Sequence, residues 1–103
     1  MTRYLLEVHC TLDGVRRLKA DGGTAMVDAT RVAVEALGGT VVAHHFALGA
    51  VDAFVVAELP ESVAAAEAEA AVCGDGWATA HSVVVLTPDE ADAAGPGIIS
   101  SFL

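Results

Sequence analysis

The stretch from Thr40 to Leu59, TVVAHHFALGAVDAFVVAEL, decides how this chain folds. Two runs rich in β-branched and aromatic residues, Thr40 to Leu48 and Asp52 to Leu59, flank a short turn containing Gly49. That combination reads as a β-hairpin. Upstream of it, Gly38-Gly39 closes a helical stretch that opens at Thr24, as a left-handed C-terminal cap does. Met26, Ala29, Ala33 and Leu37 are expected along one face of that helix, with Asp28, Arg31 and Glu35 opposite, at the spacings that allow helical ion pairs. A shorter helical segment around Val15 and Leu18, capped by Thr11 or Asp13, is interrupted by Gly22-Gly23. At the start of the chain, Tyr4, Leu6, Val8 and Cys10 alternate with Arg3, Leu5, Glu7 and His9, the two-residue period of a strand with one more polar face.

Downstream, Pro60 precedes an alanine-rich run in which Val63, Ala66, Ala70 and Cys73 mark one helical face, ended by Gly74-Asp75-Gly76. Trp77 to Leu86 returns to β-type residues, Thr87 and Pro88 open a last short helix, and Gly95-Pro96-Gly97 releases the apolar tail IISSFL. The tail is either disordered or a strap across a neighbouring subunit. The order strand, helix, strand, strand, helix, strand is the split βαβ pattern of a ferredoxin-like α+β domain. The expectation is a four-stranded antiparallel sheet with helices on one face, over residues 1–94, followed by the tail at 95–103. A bare sheet face carrying Leu5, Phe46 and Phe54 is too apolar to stay wet, so a second copy packed face to face is expected to cover it.

Composition excludes several function classes. The chain has 103 residues and a formal charge of −9, and its five basic residues, Arg3, Arg16, Arg17, Lys19 and Arg31, all lie in the first third. Such a distribution offers no basic face to displace counterions from phosphates, so nucleic acid and anionic membrane surfaces are not expected partners. Mean hydropathy is high at +0.57. Even so, no run approaches the roughly 18 apolar residues that a spanning helix needs. The opening MTRYLLEVHC interrupts its apolar run with Glu7 and His9 and does not read as a secretory signal, which leaves the cytoplasm as the expected location. Cys10 and Cys73 fit neither a redox pair nor a zinc spacing and read as small apolar residues.

The segments YLLEVHCTLDGVRRLKADGG, VEALGGTVVAHHFALG and FVVAELP, together with TPDEAD, resemble the GYD-domain family over about Arg3 to Ala94. The resemblance implies a small bacterial protein of the dimeric α/β-barrel group, in which cofactor-free monooxygenases, dehydratases, haem-handling enzymes and purely ligand-binding proteins all occur. The family signature is Gly-Tyr-Asp after the second strand, whereas this chain has Gly49-Ala50-Val51-Asp52, with Val51 where the tyrosine would stand. Glycine and aspartate are kept, and any part played by the tyrosine hydroxyl is lost.

All four histidines, His9, His44, His45 and His81, fall in predicted strands. By alternation, Glu7 and His9 face away from the helices, and pairing can bring Phe54 and Glu58 beside them. Ala43 and Ala47 look suited to lie under a helix, which sends His44 and Phe46 to the open face and His45 to the other. A bulge would invert such a reading, as it would for His81. The functional reading is a cofactor-independent site for a small molecule on the open sheet face. There His9 or His44 takes a proton, Glu7 or Glu58 orients the imidazole, and Phe46, Phe54 and His81 hold the ligand. No spacing calls for a metal or a built-in cofactor, and no serine has a nucleophile-elbow context. The rival reading is a non-catalytic assembly or regulatory module whose histidines line a homo-oligomer interface. Asp52 either ties down the hairpin or rims a pocket, and Trp77 either packs in the core or stacks on a ligand.

Overall fold

A computed structural model of the chain describes residues 1–74, 76–95 and 97. Its elements run β1 (Thr2–Cys10), α1 (Leu12–Asp21), α2 (Gly23–Ala36), β2 (Thr40–Phe46), β3 (Ala53–Leu59), α3 (Ala65–Cys73), β4 (Ala78–Val84) and α4 (Pro88–Ala94). The strands form one antiparallel sheet in the order β2-β3-β1-β4, so the first strand in sequence becomes a central one. This is an α+β arrangement consistent with the ferredoxin-like pattern. The apolar tail from residue 98 onward, and with it the strap expectation, lies outside the described residues.

The alternation of β1 and β3 positions the core. Tyr4, Leu6 and Val8 of β1, with Ala53, Val55, Ala57 and Leu59 of β3, are all buried under the helices, while the residues between them are only half-buried. Met26 and Val34 of α2, Ala68 and Val72 of α3, and Trp77 close the layer from above. Trp77 is thus a core residue, 8% exposed, and its carbonyl accepts the amide of Thr11 at the start of α1. Gly14 lets α1 approach that point, because a Cβ there would stand 1.9 Å from the Trp77 carbonyl oxygen.

The helices bury different stripes from those expected. On α2 the buried positions are Met26, Thr30 and Val34, with Leu37 partly buried, while Ala29 is exposed. On α3 they are Ala68 and Val72, and Ala66 and Ala70 face outward. Alanine is apolar yet too small to define a face, so the larger Val34 and Val72 set the rotation instead. Gly22, at φ +85°, breaks the first crossover into α1 and α2, and its amide caps α1 by donating to Leu18 O. Thr87 and Glu90 cap α4 reciprocally, side chain to amide in both directions.

Candidate functional site

Residues opposite one another on antiparallel strands share a face, so the register assigns every side chain to one side of the sheet. On the side away from the helices, Arg3 of β1 pairs with Glu58 of β3, Leu5 with Val56, and Glu7 with Phe54. On its other flank β1 sets Leu5 beside Val83 and Glu7 beside His81 of β4, and His9 beside Thr79. Glu7, His9, Phe54, Glu58 and His81 therefore all lie on the open face.

β2 departs from the sequence expectation. The ladder slips between Val41 and Ala43, leaving Val42 as the extra residue of a bulge. Beyond it Ala43 pairs with Val56 and His45 with Phe54, both on the open face, whereas His44 pairs with Val55 and Phe46 with Ala53, both on the helical face. The inserted residue flips every side chain after it, so His44 and Phe46 turn toward the helices and His45 takes the place expected for His44. Nothing in the run VVAHHF marks this, because the bulge exists only relative to β3. His45 is the residue that sequence reasoning missed.

The open face thus carries two contrasting rows across all four strands. One is apolar: Ala43, Val56, Leu5 and Val83. The next holds His45, Phe54, Glu7 and His81, with His9 one row further along the same strand as Glu7. Glu7 is half-buried between its neighbours, and His9, His45 and His81 are exposed. A carboxylate flanked by an imidazole on the adjoining strand can orient that ring and leave its second nitrogen free to take a proton. Glu58 is otherwise engaged, since the Arg3 guanidinium donates to its Oε1 through both Nε and Nη2. That ion pair sits beyond the apolar row and marks one end of the face.

His44 occupies a different environment. Its ring lies 5.2 Å from that of Phe46, tilted by 39°, and neither ring nitrogen has a hydrogen-bond partner among the described residues. Burial pushes its pKa below the usual histidine value, and the adjacent His45 adds to the effect. Phe46 in turn lies against the start of α2, where a Cβ on Gly23 would stand 2.9 Å from its ring. Both residues read as packing between β2 and α2.

Asp52 acts as a structural tie. Its Oδ2 accepts the Cys10 amide at 2.8 Å and its own amide donates to Val8 O at 2.9 Å, joining the hairpin turn to the end of β1. The Cys10 thiol is pushed up by burial and by the Asp52 charge, which keeps it protonated. Cys73 is shifted upward as well, chiefly by burial. Among the described residues no three His, Cys, Asp or Glu side chains gather so as to hold a metal ion. A cleft of about 100 Å³ lies on the helical side of the sheet, between α1 and α2 above Trp77, and the open-face residues take no part in it. Also among the described residues, no helix is long and apolar enough to cross a membrane.

The family model of the GYD domain matches residues 4–94 of this chain. No curated protein and no solved structure matches it.

Proposed function

Because the chain belongs to the GYD-domain family, we propose that it acts as a homodimer holding a small molecule against the open sheet face. One observation carries this reading: the row His45, Phe54, Glu7 and His81 runs beside a fully aliphatic row on a face that the chain's own helices leave bare. The aliphatic row favours burial against a second copy. The polar row then becomes the floor of an enclosed space, where a carboxylate and imidazoles gain strength from the loss of water.

In this reading Phe54 supports the apolar part of the ligand and Glu7 orients His81, which accepts a proton from an acidic C–H or O–H group. His9 stands one row along β1 from Glu7, His45 lies across Phe54 on β2, and His44 and Phe46 take no direct part. No resident cofactor is invoked. Native mass spectrometry of the purified protein tests the proposal: a retained small molecule in wild type, absent or much reduced in Glu7→Gln and Phe54→Ala, is expected. A wild-type protein that carries nothing, and in which neither substitution changes histidine titration followed by NMR, would refute it.

A second reading has its own support, namely that His9, His45 and His81 are exposed on the surface of the single chain. It makes the protein a non-catalytic assembly module, with the histidines at the subunit interface. Under that reading Glu7→Gln alters dimer strength and leaves no ligand signal to lose.

A further inference from the structure

On the helical side, the cleft between α1 and α2 combines an apolar floor with two opposite charges and has no role in the site above. Trp77 and Met26, each 8% exposed, form the floor with Leu18, and the small side chains of Ala25 and Ala29 leave space above it. Arg17 and Asp21 stand on the rim, four residues apart on one face of α1. Among the described residues neither takes part in an ion pair, although Arg16 and Arg31 on the same two helices each have an acidic partner.

The two helix ends meet at the Asp21 end of the cleft. α1 ends and α2 begins at Gly22, which also lines the cleft. A helix C-terminus carries partial negative charge and a helix N-terminus partial positive charge, so ends of opposite sign meet there. No side chain caps the start of α2, and its first turn holds no acidic residue.

We infer that this cleft binds a small aliphatic zwitterion, an amino acid of about the size of leucine. Its carboxylate pairs with Arg17, one turn back along α1, its ammonium with Asp21 at the end of α1, and its side chain rests on Trp77 and Met26. The size follows from the volume of about 100 Å³. A cavity of roughly 150 Å³ accepts benzene, so a small branched aliphatic side chain matches the space over Trp77 and Met26. A molecule with one charge forgoes the contact to either Arg17 or Asp21.

Trp77 is the chain's one tryptophan and lines the cleft, so its fluorescence reports on binding there. Purified full-length protein is titrated with L-leucine, with 4-methylpentanoate lacking the ammonium group, and with isopentylamine lacking the carboxylate. Arg17→Gln and Asp21→Asn alter exposed side chains and are expected to fold, as circular dichroism checks. The inference predicts a saturable change with leucine. Binding of either one-charge analogue, or of leucine to either variant, falls by about tenfold or more, as expected from losing one charge-assisted contact. No saturable response to leucine, equal affinity for the analogues, or unchanged binding in both variants would overturn it. None of these outcomes depends on the open sheet face, so the two sites stand or fall separately.

Discussion

Asp52 carries more structural weight than its place in a turn suggests. Its carboxylate satisfies the Cys10 amide at the end of β1, a group with no strand partner of its own at that edge of the turn. Replacing it with alanine leaves a half-buried donor unpaired, and unfolding in urea is expected to show a loss of about 1–3 kcal/mol. Asp52→Asn, which keeps an acceptor, should lose less. His44 makes a different prediction through its pH dependence. Its folded pKa lies below the usual value of 6.5, so between the two the unfolded chain binds more protons than the folded one. Stability contributed by the neutral ring is therefore present above pH 6.5 and is lost as the pH falls below it toward the folded value. His44→Leu removes this titration while keeping an apolar side chain under α2. Its stability, measured in urea between pH 7.5 and pH 5, is expected to fall less than that of wild type, and an identical slope in the two proteins would contradict the burial of the ring.

Among the elements, α1 depends on a close approach to Trp77 more than on its own helical tendency. Helix propensity alone predicts that Gly14→Ala stabilises the protein by about 1 kcal/mol. The clash of the new Cβ with the Trp77 carbonyl oxygen predicts the reverse, a loss of about 1–3 kcal/mol by thermal or urea unfolding. The strands show which parts of the fold are legible in the sequence. β1 alternates buried Tyr4, Leu6 and Val8 with Arg3, Glu7 and His9, so its faces follow from the period of two; the pairing with β3 then sets Phe54 and Glu58 on the same side as Glu7 and His9. β2 offers two valines, an alanine, two histidines and a phenylalanine in succession, and no residue in it prefers one face strongly enough to reveal the bulge at Val42. The facing of His44, His45 and Phe46 is consequently a property of the pair β2 and β3, inaccessible to either strand alone. The alanine-rich helices fail for a related reason, since a face made of methyl groups barely distinguishes one rotation from another. Arg17 and Asp21 of α1 stand in the sequence with no signal of a shared role, and only the fold brings them to the cleft with Trp77.

For the molecule as a whole, the governing fact is that the core is one-sided. α1, α2 and α3 supply a buried layer to one face of the sheet, while Leu5, Val56, Phe54 and Val83 lie on the other and, among the described residues, belong to no buried core. Val83 is 43% exposed. Burial of such a strip against a copy of itself stabilises a dimer at roughly 25 cal/mol for each Å² of apolar area removed from water. A charge placed in its middle opposes that burial, and Leu5→Arg is expected to give a folded monomer with unchanged circular dichroism. Light scattering of the purified wild-type chain at micromolar concentration tests the central claim most directly. The expected mass is twice the 10.4 kDa of one chain or a higher multiple, whereas a folded species with the mass of a single chain would contradict it.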